Sequence, residues 1–286
     1  KKYIDIINYL VKKINNSSYD IIITIDSPDF NYPLCKKIKE NNNQINMIHI
    51  VAPSVWAWRT KRAKKFANIF DELLILYKFE SKYFTKYNLK TTFIGHPIYY
   101  IDLNKTKLSN KYNIAFLPGS RMSEVKKLLP YFTIAYEYIY KNFPKLNIFI
   151  PTVPHLQNYI QEYTKCWKVN VIITTNLKDI DSLFTSTSYA LVCSGTASLE
   201  IAKRNIPQLV IYKLNFLTEL IGKMIIKVKY ANLLNIVSNK MIIPEIKNSD
   251  LNTKDFLIKF KQLVLNNNNV NQKQIKEVNT ILKLFK

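Results

Sequence analysis

Short runs of β-branched apolar residues alternate with helical patterns along all 286 residues of the chain. The runs are continuous, as at 21–25, whereas the stretches between them space apolar residues three and four apart, as at Leu128, Phe132 and Ala135. Alternation of this kind is typical of parallel sheets covered by helices on both faces. We therefore predict an α/β protein. The expected strands are 21–25, 47–51, 73–76, 92–94, 113–117, 147–150, 169–173, 189–193 and 208–212.

A polar stretch without strand character, 102–111, separates the fourth and fifth predicted strands. We place a domain boundary there, because a chain of this length favours about two domains. The prediction is a first α/β domain over 1–106, a second over 107–250 and a helical tail over 251–286. The first residues form a helical pattern that leads directly into a strand, so we expect further strands of the first domain to precede this chain.

The net charge of +22 raises the hypothesis of a nucleic-acid-binding protein. Only four of the 42 basic residues are arginines, however, and the lysines are spread over the whole length beside frequent Asn, Ile and Tyr. This pattern favours a dispersed, solvated basic surface, and we expect no nucleic-acid partner. Such a surface still attracts phosphorylated substrates and anionic lipids over a long range.

The three cysteines, Cys35, Cys166 and Cys193, are far apart and do not have metal-ligand spacing with the histidines. We predict no metal site and no cofactor, and a reducing cytoplasm fits this pattern. No apolar run approaches the roughly 18 residues that a membrane-spanning helix needs. The expectation is a cytoplasmic protein, soluble or peripheral on a membrane.

The loop at 26–31 follows a predicted buried strand and contains two carboxylates, Asp26 and Asp29. A carboxylate in such a place can act as a general base, because burial or the neighbouring carboxylate raises its pKa. The same residue types also form turns that cap the following helix, and the residues alone leave this alternative open.

The loops at 118–124 and 194–200 each join a strand to a helix through a glycine turn, which presents free backbone N–H groups to an anion. Arg121 adds a planar donor fork, and Glu200 is placed to accept hydrogen bonds from ribose hydroxyls. The alternatives are ordinary capped turns and, for Glu200, complementarity with the helix dipole. Neither loop has a Walker or dinucleotide-binding motif. A diphosphate bridging two such loops favours a nucleotide-sugar transferase.

Two further segments suit a phosphorylated, partly apolar acceptor and a membrane surface, respectively. The segment 52–62 combines two tryptophans with three cations directly after a strand, although the tryptophans alternatively pack beneath a basic helix start. The segment 216–228 mixes apolar residues with lysines, as in helices that insert at a membrane interface. A core helix with a solvated lysine face remains the alternative for this second segment.

At these residues the chain resembles the lipid-A-disaccharide synthase family over nearly its whole length. The matching strings are DSPDFN at 26–31, PSVWAWR at 53–59, FIGHP at 93–97, LPGSR at 117–121 and SGTASLE at 194–200. The family's opening strand and its Gly-Glu-x-Ser-Gly-Asp loop have no counterpart here. Leu234, Asn239 and Asn248 stand where the family usually has Pro, Gly and Gln.

The resemblance implies two Rossmann-like domains of the GT-B type, with parallel sheets and a cleft between them, the first domain lacking its N-terminal part. It implies that the 6-hydroxyl of 2,3-diacylglucosamine 1-phosphate displaces UDP from UDP-2,3-diacylglucosamine, with inversion. Asp29 is then the general base, supported by Asp26. The residues implied for the nucleotide sugar are Gly119, Ser120, Arg121, Ser194, Gly195, Thr196, Glu200, Asn235 and Glu245. Those implied for the acceptor or membrane side are Trp56, Trp58, Arg59 and Arg62.

The expected partners are these two acylated substrates and the lipid surface of the inner membrane, and a homodimer is left open. The alternatives are another GT-B transferase or epimerase that uses a UDP-sugar, and an inactive remnant that still binds UDP. A basic nucleic-acid-binding protein is the rival from another class.

Overall fold

The computed structural model describes residues 2–57, 59–106, 113–213, 229–247, 250–265 and 269–286. These residues divide into two compact units. The first comprises the residues up to Pro97 together with Phe285 and Lys286, and the second takes its residues from 98–284. Compactness does not establish independent folding, so the domain limits at 106 and 250 stay predictions.

The first unit has a sheet of parallel strands covered by helices. The strands are β1 (Ile21–Ile25), β2 (Asn46–Ile50), β3 (Glu72–Ile75) and β4 (Lys90–Phe93). The helices are α1 (Lys2–Asn15), α2 (Pro28–Asn41), α3 (Arg62–Ala67) and α4 (Ser81–Thr85), with a 3₁₀ turn at Lys78–Glu80. The spatial order of the strands is the same as their order in the sequence. Pro28 begins α2, where its fixed φ suits the first helical position.

The strand β1 has two different faces. Its inner face contributes Ile22 and Thr24 to the packing of the unit, whereas Ile21, Ile23 and Ile25 on the other face are 52%, 59% and 63% exposed. The strand lies at the edge of its sheet, and no described strand pairs with its outer side. The core of the unit therefore lies on the side of the sheet that α1 and α2 help to cover.

The second unit is larger. Its strands are β5 (Asn113–Leu117), β6 (Asn147–Pro151), β7 (Val171–Thr174), β8 (Thr187–Cys193), β9 (Gln208–Tyr212) and β10 (Glu245–Lys247). Its helices begin with the short α5 (Pro97–Tyr100) on the connecting segment, followed by α6 (Met122–Asn142), α7 (Pro154–Thr164), α8 (Leu177–Thr185), α9 (Thr196–Lys203), α10 (Leu233–Ser238), α11 (Thr253–Leu265) and α12 (Asn269–Leu282). The strand order is β10-β9-β8-β5-β6-β7, and every pairing between neighbours is parallel.

The direction of winding reverses between β5 and β8. From β5 the chain proceeds outward through β6 and β7, and it then returns to β8 and proceeds through β9 and β10 on the other side. The two central strands are buried along their whole length and are paired as far as Leu117 and Val192. In open α/β sheets, ligands bind outside the carboxyl ends of the strands at such a reversal.

The α/β class with parallel sheets that the sequence predicts is confirmed, and the predicted bounds of β1, β5 and β9 agree with the structure. The strand β10 was missed, because three residues that include Glu245 and Lys247 give no apolar run. In its described parts the tail forms α11 and α12, as expected of a helical segment. Among the described residues, no helix combines the length and the apolar character needed to cross a bilayer.

The C-terminus contributes one aromatic ring to the core of the first unit. Phe285 is fully buried, and its ring contacts those of Tyr77 and His96, whereas the neighbouring Leu284 is 52% exposed. We expect Phe285→Ala to lower the free energy of unfolding by about 3–5 kcal/mol, because it removes a buried ring and leaves a cavity. Leu284→Ala is the matched control, with an expected change below about 0.5 kcal/mol. Equal effects of the two substitutions in urea unfolding would contradict this packing.

Candidate functional site

The loop between β5 and α6 requires glycine at position 119. Gly119 has a φ of 114°, and a Cβ atom there would lie 2.8 Å from Oε2 and 3.1 Å from Cβ of Glu124. The same position lies 3.5 Å from the sulfur of Cys193, the last residue of β8. The loop after β5 therefore lies beside the carboxyl end of β8, at the reversal of the sheet.

The loop between β8 and α9 is held by its backbone. The amide of Ser194 donates to the carbonyl of Ile211 at 3.2 Å, which continues the pairing of β8 with β9. Gly195 follows with φ 157° and ψ −163°, a conformation that is essentially restricted to glycine. No described atom lies within 4 Å of the position of a Cβ there. An anion can therefore approach the backbone of Gly195 and the exposed Thr196 at the start of α9.

Arg121 precedes the first turn of α6, and its side chain is 77% exposed. Its Nη1 donates to Oε1 of Glu124 at 2.7 Å, a contact that uses one of the five N–H groups of the guanidinium. The adjacent Ser120 is exposed as well. The start of α6 thus offers a cation, a hydroxyl and free backbone N–H groups on one accessible surface.

A polar network that the sequence did not reveal joins this region to the segment before α10. The hydroxyl of Ser194 donates to the carbonyl of Ala231 at 3.1 Å, and the side-chain amide of Asn232 donates from Nδ2 to Oγ of Ser198 at 2.6 Å. Ser198 in turn donates to Oε1 of Gln208 at 2.8 Å. The segment 230–232 therefore lies against the start of α9, although it is more than 30 residues away in sequence.

Asn235 and Glu245, which the resemblance assigned to the nucleotide sugar, are buried at 0% and 5% exposure. The side-chain oxygens of both accept hydrogen bonds from backbone amides at 2.8–2.9 Å. The donors are Ile242 and Ile243 for Asn235, and Ala231 and Asn232 for Glu245. Their observed contacts fix the segment that lies against α9, and a direct role in binding stays a prediction.

Glu200 lies on α9, one turn beyond Thr196, and its side chain is 37% exposed. The carboxylate of Glu200 has a partner, because Arg204 at the end of the same helix donates hydrogen bonds to it. Arg204 is 2% exposed and was not singled out in the sequence as a site residue. The predicted ribose-binding carboxylate therefore has a buried partner.

The first unit brings the predicted base and two predicted acceptor-side cations together. Arg62 donates to Oδ1 of Asp29, and Nη1 of Arg59 lies 3.9 Å from the same oxygen. The side chain of Asp29 is 72% exposed in the first turn of α2. These three residues come from the start of α2 and from the start of α3 with the loop before it, about 30 positions apart, and they form an accessible cluster with both signs of charge.

The turn before α2 is built on left-handed backbone at Asp26 and Ser27, with φ of 50° and 43°. Asn31 stabilises it, since its side-chain amide donates to the carbonyls of Ile25 at 3.2 Å and Asp26 at 2.6 Å. Ser27 occupies the helix cap, but its hydroxyl makes no capping hydrogen bond. The carbonyl of Ser27 accepts the first backbone hydrogen bonds of α2, from the amides of Phe30 and Asn31.

Trp56 is partly buried against Phe79, and its indole N–H donates to Oε1 of Glu80 at 3.2 Å. Trp58 lies outside the described residues. Glu80 is 2% exposed, and burial raises the pKa of its carboxyl to about 7. The sequence did not indicate this buried carboxyl, which accepts the hydrogen bond of a tryptophan in the predicted acceptor segment. The placement of Trp56 near an acceptor stays a prediction.

Solved structures with less than 25% identity to this chain share its fold. The match to a Staphylococcus aureus MnaA–UDP structure covers 96% of this chain and 75% of that chain, with a TM-score of 0.61 and 14% identity. A UDP-GlcNAc 2-epimerase from Neisseria meningitidis bound to UDP-GlcNAc covers 98%, with a TM-score of 0.58, 13% identity and 81% of its own length. Acinetobacter baumannii MurG covers 99%, with a TM-score of 0.59, 10% identity and 78% of its own length.

The parallel sheets, and the two glycine-turn helix starts at the reversal of the larger one, define an α/β protein of the GT-B class. Within that class, the chain belongs to the lipid-A-disaccharide synthetase family, whose sequence profile matches residues 1–285. The lipid-A-disaccharide synthase of Rhodospirillum centenum is 33% identical over 280 residues, which are 94% of this chain and 70% of that relative. The Rickettsia bellii synthase is 36% identical over 289 residues, which are 97% and 74% of the two chains.

The buried Glu80 carboxyl predicts a pH-dependent stability. Its pKa is raised from 4.5 to about 7, so the folded protein keeps a proton there that the unfolded chain has released. Stability relative to Glu80→Gln should therefore fall as pH rises from about 5 to 7, by roughly 3 kcal/mol at most. His49, whose pKa burial lowers to about 4, acts in the opposite sense, and comparing the two proteins at each pH removes its contribution.

Urea unfolding of wild type and Glu80→Gln between pH 4.5 and 8 measures this difference. Trp56→Phe provides the matched variant, because it removes a donor that stabilises the ionised carboxyl and should extend the fall in stability to higher pH. A difference between wild type and Glu80→Gln that does not change with pH would contradict a raised pKa.

Proposed function

We propose that the protein joins UDP-2,3-diacylglucosamine to 2,3-diacylglucosamine 1-phosphate, forming the β-1,6 lipid A disaccharide and releasing UDP. The observation that carries the donor half of this proposal is the parallel pairing of β5 with β8, which places the loops that follow the two strands side by side. Two helices begin there, and Gly195 leaves the backbone at the start of α9 open to a ligand. Membership of the lipid-A-disaccharide synthetase family supports the choice of the two glucosamine substrates.

In the donor half, the helix starts of α6 and α9 bind the diphosphate. Gly119, Ser120, Gly195 and Thr196 supply backbone N–H and hydroxyl groups. Ser194, whose amide and hydroxyl donate to the carbonyls of Ile211 and Ala231, holds the loop in place beside them. Because negative charge develops on the departing UDP, donors that are already oriented stabilise the transition state more than the ground state.

Arg121 supports this by placing a cation at the start of α6, and Glu200 accepts hydrogen bonds from the ribose. Asn235 and Glu245 hold the adjoining segment in place through the backbone contacts described above.

In the acceptor half, Asp29 removes the proton from the 6-hydroxyl of the acceptor. The bond from that oxygen to the anomeric carbon of the donor forms as the bond to UDP breaks, which inverts the anomeric centre. Arg59 and Arg62 contact Asp29, and as exposed or partly exposed cations they also suit the acceptor phosphate. Asp26 supports the base, and Trp56 and Trp58 remain proposed for the acceptor or membrane side.

Both substrates carry acyl chains, so the reaction takes place at a lipid surface. A net charge of +22 favours contact with anionic lipids, and we place the protein on the cytoplasmic face of the inner membrane as a peripheral protein. The segment 216–228, which the sequence predicts as an interfacial or core helix, lies outside the described residues. A homodimer stays an open prediction.

The second candidate is a transferase or epimerase that acts on another UDP-sugar. The similarity of the fold to UDP-GlcNAc 2-epimerases favours it, although a likeness of 13% identity shows the fold alone. Dependence on acyl chains distinguishes the two candidates, because an enzyme for soluble sugars converts deacylated substrates equally well.

The product assay uses both diacylated substrates and detects the disaccharide 1-phosphate by mass spectrometry. We expect Asp29→Asn to lower kcat by about 100-fold or more, since it removes the general base, with little effect on the KM of the donor. Asp20→Asn is the matched control, an exposed carboxylate just before β1, and should retain the wild-type rate. Product formation by Asp29→Asn at the rate of the control would exclude Asp29 as the base.

Binding of UDP, measured by calorimetry, tests the donor half independently of the acceptor. We expect Arg121→Ala to weaken binding about tenfold, the effect of losing one charge-assisted hydrogen bond to phosphate. Lys141→Ala, at the exposed far end of the same helix, should bind UDP as wild type does. Equal affinities of the two variants would place the diphosphate away from the start of α6.

A further inference from the structure

We infer that Arg204 is a positioning residue of the nucleotide site, which orients the carboxylate of Glu200 toward the ribose hydroxyls. The inference rests on the proposed function, in which Glu200 accepts hydrogen bonds from the ribose. It adds a residue that touches neither substrate but determines how well the nucleoside is recognised.

The contact between the two residues constrains the carboxylate. Arg204 donates from Nη2 at 3.0 Å and from Nε at 3.3 Å, and both hydrogen bonds go to Oε1 of Glu200. Among the described residues, no hydrogen bond is made to Oε2. The fork thus fixes one oxygen and leaves the other free to accept from a ligand.

Arg204 is itself held rigidly. Its Nη1 donates to Oδ1 of Asp181 at 2.6 Å and to the carbonyl of Asn104 at 3.1 Å, and the guanidinium lies 4.7 Å from the centre of the Phe184 ring. The hydrogen bond from Arg204 lowers the pKa of the Asp181 carboxyl. Because every donor side of the fork has a partner, the guanidinium cannot turn without breaking several contacts.

The charges of the cluster indicate that Glu200 is not needed merely to neutralise the buried Arg204. Asp181 alone neutralises Arg204, so the second carboxylate makes the cluster negative by one charge. Glu200 is also 37% exposed in its side chain, and ion pairs of partly exposed groups contribute little to stability. Fixing its rotamer does contribute to binding, since a ligand then does not have to order a mobile side chain.

The preference for a nucleotide with ribose hydroxyls over one without them is a quantity that a purely structural role of Arg204 would not change. We compare the affinities of UDP and of 2′,3′-dideoxyuridine diphosphate, which lacks both hydroxyls, by calorimetry. Wild type should prefer UDP about tenfold or more, as expected for hydrogen bonds to a carboxylate. Glu200→Gln should reduce this preference several-fold. Arg204→Met should reduce it to a similar value, and the double variant should lose nothing further.

Asp181→Asn is the matched control, because it removes the negative charge of the other partner of Arg204 but keeps the oxygen that accepts from Nη1, so the guanidinium stays held toward Glu200. It should keep the preference for UDP even where its melting temperature falls. Arg204→Lys is the variant for the case that Arg204→Met does not fold, since it keeps the positive charge and most of the volume but not the fork. It should also lose most of the preference.

The outcomes distinguish a failure of the proposed nucleotide site from a failure of the inference about Arg204. A wild-type protein that binds both nucleotides equally contradicts the assignment of Glu200 and with it the proposed nucleotide site. A wild-type preference that depends on Glu200 but is unchanged in Arg204→Met, or in Arg204→Lys where the first variant does not fold, overturns the inference about Arg204 alone. A loss of preference in Asp181→Asn equal to that in Arg204→Met overturns it as well.

Discussion

The parallel pairing of β5 with β8 is the interaction on which the candidate donor site depends. Both strands are fully buried, and their pairing as far as Leu117 and Val192 places the two following loops side by side. The glycines then have distinct tasks. Gly119 is required by its close approach to Glu124, whereas Gly195 leaves open space in front of a helix start. This arrangement supports the proposed diphosphate site, because backbone N–H groups and Arg121 supply positive potential at the two helix starts.

The features that the sequence predicted well are those governed by local physics. Continuous apolar runs such as Asn113–Leu117 and Gln208–Tyr212 belong to central strands, which are apolar on both faces, so their bounds could be predicted closely. The loops at 26–31, 118–124 and 194–200 were recognised because Pro, Gly and Ser after such a run restrict the backbone to a turn followed by a helix.

The features that were missed depend on partners far apart in the sequence. Arg204 contacts the carbonyl of Asn104, which is 100 positions away, and Glu80 accepts from Trp56 across 24 positions. In a sequence, a single Arg or Glu is most simply interpreted as an exposed surface charge, because its buried partners are distant along the chain. Asn235 and Glu245 were assigned to the nucleotide sugar by resemblance, and this role stays a prediction. The hydrogen bonds that their side chains accept from backbone amides could not be predicted from the sequence.

The most direct test of the central claim is to titrate UDP into the ¹⁵N-labelled protein and map the amide signals that shift. We expect the largest shifts to cluster in two short segments, 119–124 and 194–200, because their N–H groups would bind the diphosphate and its nucleoside. Shifts confined to one of these segments, or centred on other strands of the sheet, would contradict a diphosphate held between the two helix starts.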